Sequence, residues 1–236
     1  MEEKLSGLVS RLKPALGDAL VSAILYGSAA AGDYNEHASD LNVLCVLKQI
    51  SPHELVQSEP VFRWWREQGN PPPLLLSEEE VRTSSDCFPM EFHDMQERHR
   101  VLYGTDVVQG IAVDRSFYRA QVEHELRAKQ IRLRQKAAEL LSSTDRLLNL
   151  MIASVSTFCV LGRHALILSG HQARWKKKEI VAALEEAMIM SLPATNEILA
   201  IRAAADRKPK VDAASLFGGY LREIDSLVRF VDRMER

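Results

Sequence analysis

The chain has 236 residues, 46% hydrophobic and 26% charged, which allows one large domain or two modest ones, each with its own core. This is the composition of a soluble globular protein, with no run of about 18 apolar residues to span a membrane and no apolar leader in the opening MEEKLSGLVSRL, so a cytoplasmic protein without a membrane partner is expected. The net charge of −2 hides a split: residues 1–112 carry 9 Lys/Arg against 17 Asp/Glu, residues 113–236 carry 21 against 15, a balance that argues for two units and against a dedicated nucleic-acid binder.

In the first half, strand-like and helix-like segments alternate. Residues 3–18 read as an amphipathic helix that Pro14 interrupts or ends. Ala19–Tyr26 (ALVSAILY) is an apolar run closing on Gly27, as a buried strand would, and Leu41–Leu47 (LNVLCVL) is a second. Ser51-Pro52 opens a helix with a serine N-cap and proline at its first position, running to Gly69. Pro71-Pro72-Pro73 makes a stiff link to a third short strand at Leu74–Leu76, and Ser77 with Glu80 forms a capping box. Phe88–Met95 (FPMEFHDM) is expected as a fourth strand, with Pro89 near its start.

From Ser116 the strand signals stop. Helices are expected near 115–141, 145–169, 175–190, 194–206 and 212–234, broken at Ser142-Ser143, Gly170, Pro193 and Pro209. Connections this short join antiparallel neighbours, hence a bundle. The expected fold is α+β: a small mixed sheet flanked by helices over 1–112, then an all-α bundle over 113–236. The apolar residues of the back helices suit a core or a homodimer interface equally. Cys45, Cys87 and Cys159 are odd in number, far apart and set in apolar stretches, which points to free thiols rather than a disulfide framework or a metal knuckle.

Chemistry concentrates between Leu25 and Leu47. An apolar strand ends in Gly27-Ser28; Gly32 follows; then Ser39-Asp40-Leu41-Asn42 leads into the next apolar strand. Gly27 lets the backbone turn where a larger residue would not, and lets a phosphate come close. Ser28 adds a hydroxyl beside exposed backbone N–H groups. Strand alternation sets Asp40, Asn42 and Leu44 on one face and Leu41, Val43 and Cys45 on the other, so two oxygen-bearing side chains stand together where a Mg²⁺ can be shared.

The spacing G-S-x3-G-x6-S-D-x-N, followed later by Met90-Glu91-Phe92 as h-E-h and then by Arg100-Val101-Leu102-Tyr103-Gly104, resembles the nucleotidyltransferase signature of the DNA polymerase β superfamily, in particular the kanamycin nucleotidyltransferase-like enzymes. The resemblance covers roughly residues 19–106. It implies a Mg²⁺-dependent enzyme, with Mn²⁺ as the alternative ion, that moves a nucleoside monophosphate, AMP foremost, from a nucleoside triphosphate to a hydroxyl of a small-molecule or protein acceptor and releases pyrophosphate. Carried over by position, Gly27, Ser28, Gly32 and Ser39 face the nucleotide, and Asp40, Asn42 and Glu91 face the metals and the chemistry. Asn42 departs from the pattern, which has an acid there. The competing expectation is therefore a non-catalytic module of the same fold that binds nucleotide or a partner.

Other residues carry weaker signals. If 88–95 is a strand, Asp94 points away from Glu91 into solvent and His93 shares its face. Asp33 and Glu36 read as solvated loop acids. Arg127 and Arg134 share one face of the first back helix, and Lys129, Arg132 and Lys136 another; a solvated or interdomain face is the plainer reading than contact with an anion. Glu123 on that helix is a candidate general base. Arg119 and His124 match the R-x4-H spacing of helical ribonucleases, a spacing easily met by chance. Arg174-Trp175-Lys176-Lys177-Lys178 reads as a solvated helix start, and Trp64-Trp65 as half core and half surface.

Overall fold

The computed structural model describes residues 1–30, 32, 41–204 and 211–234. The chain divides into two compact units, Met1–Arg115 and Ser116–Arg236.

The first unit is built on a four-stranded sheet. The strands are β1 (Leu20–Tyr26), β2 (Asn42–Leu47), β3 (Leu74–Ser77) and β4 (His99–Gly104), in the order β3-β2-β1-β4. β1 runs antiparallel to β2 and β4, and β2 parallel to β3. Both faces of β1 and β2 are covered, which is why each is a nearly unbroken apolar run. On one face α1 (Glu2–Leu16) buries Leu5, Leu8, Leu12 and Leu16, a helical spacing, and α2 (Pro52–Glu67) buries Trp65; these meet Ala23, Leu25, Val43 and Cys45 of the strands. On the other, Ile24, Leu44 and Val46 pack against Val81 of α3 (Glu78–Thr83) and Phe92 and Met95 of α4 (Pro89–Glu97). The capping boxes of Ser51 with Glu54 and of Ser77 with Glu80 start α2 and α3.

Two expectations change. Helix α1 continues through Pro14 to Leu16. In the last turn the proline costs only one ladder hydrogen bond, and the buried Leu16 holds the turn down. The stretch 88–95 forms helix α4 rather than a strand. Phe88, Met90 and Phe92 alternate as a strand's residues would, but Pro89 takes the first helical position, and from there Met90, Phe92, His93 and Met95 are buried around more than half of a helix. The fourth strand is instead β4, which closes on Gly104. At φ 76° a Cβ there would sit 1.9 Å from the Val21 carbonyl oxygen, so no side chain fits.

The second unit is helical: α5 (Tyr118–Ala138), α6 (Thr144–Leu168), α7 (Lys177–Met188), α8 (Pro193–Ala203) and α9 (Ala213–Asp232). α6 packs against each of the other four. By length and composition α6 could cross a membrane, with a mean hydropathy of 1.6 over its most apolar window, but 56% of that window is buried inside the structure. A helix apolar nearly all round is what the centre of a bundle needs. Glu223 of α9, itself buried, accepts the backbone N–H groups of Ala194 (2.7 Å) and Thr195 (2.8 Å) and the Thr195 hydroxyl (2.6 Å). It thereby caps α8, whose Pro193 start has no side-chain cap of its own.

Candidate active site

The site begins where β1 leaves the sheet. Tyr26 lies opposite Asn42 on β2 and opposite His99 on β4. Directly opposed residues project to one side, so Tyr26 and Asn42 share the face that carries Ile24, Leu44 and α4. Gly27 follows at φ 76° and opens a 3₁₀ turn, Gly27–Ala29, with Ser28 in its middle. The glycine is required twice over. Its φ is the left-handed one, and a Cβ would lie 3.0 Å from Asn42 Nδ2 and 3.8 Å from its Cγ. The Asn42 amide is therefore laid against the backbone of the turn. Gly32 is also at φ 76°, with nothing among the described residues within 4 Å of where its Cβ would be.

Glu91 comes to this face from α4. It is exposed in the helix's first turn, and its negative charge, second to burial, pushes the Tyr26 phenol above its usual range. At neutral pH the Tyr26 phenol is protonated with or without that shift. This residue gave no signal in the sequence, where it reads as the last apolar position of a strand; only the register with Asn42 and the placement of α4 bring it in. The change from strand to helix moves Asp94 as well. Expected in solvent, its side chain is only 15% exposed, with Oδ1 3.8 Å from Nδ1 of the buried His93. The register partner His99 ties the edge together: Nδ1 meets the Met95 carbonyl at 2.5 Å, and Nε2 meets Asp106 at 2.8 Å. Asp106 in turn accepts the N–H groups of Val108 and Gln109.

Among solved structures, the spectinomycin adenyltransferase AAD(9) from Enterococcus faecialis, determined with ATP and spectinomycin, superposes with a TM-score of 0.63 over 99% of this chain and 100% of that one, at 14% identity. The likeness is one of fold: the chain shares the fold of that adenyltransferase along its length. No family model and no curated protein matches the sequence.

Of the residues expected at a nucleotidyltransferase site, Gly27, Ser28 and Asn42 adjoin at the β1 exit, and Glu91 reaches the same face from a helix. Ser39 and Asp40, like Asp33 and Glu36, lie outside the described residues. In the helical unit the candidates are occupied elsewhere. Arg127 and Arg119 both bond to Glu123 at 2.8 Å, and Arg127 also reaches Asp232 at 3.5 Å. The bond from Arg127 first, and then that from Arg119, hold the Glu123 carboxyl below its usual range against the opposing effect of burial. A carboxylate so stabilised is a poor proton acceptor. Lys129 pairs with Glu125, and Arg134 with Asp225. Arg119 is committed to Glu123, while the His124 side chain is 77% exposed, so the R-x4-H pair forms no joint site. Trp175 carries the Arg163 guanidinium 4.2 Å from its ring centre, and Trp64 carries that of Arg11 at 4.0 Å.

Proposed function

We propose that this chain is a nucleotidyltransferase that moves a nucleoside monophosphate, AMP foremost, from a nucleoside triphosphate to a hydroxyl of a small-molecule or protein acceptor, with release of pyrophosphate. The observation that carries the reading is the β1 exit: Gly27-Ser28 at a left-handed turn, the Asn42 amide laid against it, and Glu91 brought to the same face of the sheet. The full-length likeness to an adenyltransferase solved with ATP and a small acceptor supports it.

In this reading residues 1–112 are the catalytic domain and residues 113–236 select the acceptor. Gly27 and Ser28 take the triphosphate, the glycine by allowing close approach and the serine through its hydroxyl and the neighbouring N–H groups; Gly32 and Ser39 continue that lining. Asp40 and Glu91 hold Mg²⁺ or Mn²⁺; Asn42, which the resemblance carries over to the same place, stands beside them without a charge. These are hard oxygen donors, and two carboxylates suit a divalent cation that arrives with phosphate ligands of its own. When bound, the cation supplies polarisation of the phosphoryl oxygens and charge neutralisation. Tyr26 adds a phenol near the Glu91 charge on this face. The acceptor hydroxyl then attacks the α-phosphorus in line, and pyrophosphate leaves.

Asn42 favours a second reading, a binding-only module of the same fold. The loss of one charge at about 4 Å removes on the order of 4 kcal/mol of attraction for a cation at an effective dielectric of 20. Thermal unfolding of the wild type and of Asp40→Ala with each nucleoside triphosphate, with and without Mg²⁺, tests the site. A ligand at 100 times its dissociation constant adds about 2.7 kcal/mol of stability. A rise in melting temperature for one triphosphate that disappears in Asp40→Ala supports the site, and pyrophosphate release on adding candidate acceptors then separates the enzyme from the module. No rise with any triphosphate would sink the enzyme and the nucleotide-binding module and leave a module of the same fold that binds a partner.

A further inference from the structure

Resting on that reading, we propose that Asn42 acts as a hydrogen-bond donor to the triphosphate rather than as a metal ligand, so that this site grips the phosphates in part without a divalent cation. Three observations converge. Among the described residues the amide nitrogen is the atom closest to where a Gly27 Cβ would stand, at 3.0 Å, so the donor end of the side chain lies along the turn that the phosphates would approach. The register with Tyr26 projects Asn42 from the first position of β2, at the mouth of that turn. And the amide accepts and donates no hydrogen bond among the described residues, although Asn42 is half-buried. A side chain that holds a conformation at a turn without spending its donors has them available for a ligand.

Chemistry makes the substitution meaningful rather than merely conservative. A carboxylate in this place has acceptors only; beside a phosphate oxygen it repels, and a cation has to stand between the two. An amide of the same shape supplies two N–H donors and no charge, so it meets a phosphate oxygen directly. The surroundings strengthen the case, because residues 1–112 already carry an excess of eight negative charges. In such a field a neutral donor is the cheaper way to receive an anion. Where the signature that this chain resembles has an acid, Asn42 thus offers donors instead.

The test is ATP binding, followed by calorimetry, for wild type, Asn42→Asp and Asn42→Ala, each in EDTA and in Mg²⁺; unfolding without ligand confirms that each variant folds. Wild type is expected to bind ATP in EDTA. Asn42→Asp is expected to weaken that cation-free binding tenfold or more, to regain it in Mg²⁺, and to show a steeper dependence on Mg²⁺ concentration than wild type. Asn42→Ala is expected to weaken binding in both conditions. Wild-type binding that requires Mg²⁺, or an Asn42→Asp protein that binds as tightly in EDTA, overturns the proposal and leaves the nucleotidyltransferase reading standing. Absence of ATP binding by wild type in both conditions overturns the two together.

Discussion

Asn42 in the first unit and Glu223 in the second are polar side chains embedded beside backbone, and they are treated in opposite ways. Glu223 receives three hydrogen bonds, two from the backbone N–H groups that open α8 and one from a hydroxyl, and is buried. Asn42 lies against a turn with its amide uncommitted among the described residues. A polar group that holds a fold together is saturated by that fold; one kept for a ligand is shaped by the fold but left with capacity. Glu123 belongs with Glu223, since two arginines consume it.

The contrast can be broken at either end. The largest effect is expected from Glu223→Ala. It strips three hydrogen bonds and strands two N–H groups at a helix start, which costs about 3 kcal/mol or more. On a chain of this size that lowers the melting temperature by roughly 6–12 °C. A loss below about 1 kcal/mol in urea unfolding would mean Glu223 is not the cap the geometry describes. Next comes Gly27→Ala. Its added methyl is forced into a left-handed backbone and against the Asn42 amide, so stability falls by only about 1–2 kcal/mol, while the triphosphate-induced rise in melting temperature is expected to vanish. If that rise survives, the turn is not the phosphate contact.

The third effect concerns acid. The carboxyl of Glu123 is held below its usual range in the folded chain, by the Arg127 bond foremost. Its stabilising contribution is therefore complete above the unfolded value, near pH 4.5, and is lost as pH falls through the lower folded value. Stability measured across the acid range should fall less steeply there in Glu123→Gln than in wild type, with the two proteins differing most at neutral pH. The smallest effect is a gain. Ile189, just past α7, is 94% exposed at φ 51°, a conformation that a β-branched residue adopts at a cost. Ile189→Gly should stabilise by about 1 kcal/mol, seen as a melting temperature higher by roughly 2–4 °C.

Much of the fold was legible because its elements obey local rules. β1 and β2 are covered on both faces and so are continuous apolar runs; Ser51-Pro52 and Ser77 with Glu80 announce their helices; Gly170 and Pro193 separate the back helices. Two elements hid behind competing signals. Phe88, Met90 and Phe92 alternate like a strand, and only the packing of Met95 beside Phe92 against the sheet reveals the helix. β4 is an edge strand with mixed burial and a polar start, so no period marks it. The site was legible as a spacing of Gly27, Ser28, Asp40 and Asn42, but not as a geometry. That Glu91 arrives from a helix, and that Tyr26 stands beside it, depends on pairings between residues more than 60 positions apart, which no local pattern encodes.

The centrality of α6 has a cost during synthesis. Its apolar surface is covered by α5, already made, and by α7, α8 and α9, which are not. Leu168 emerges roughly 60 residues before α9 is complete, a gap of several seconds at about 5–20 residues per second. For that interval the ribosome carries a helix that satisfies the length and composition of a membrane span and has one partner out of four. This stretch is where a chaperone would be expected to hold the nascent chain, and where a stalled or truncated product would first aggregate.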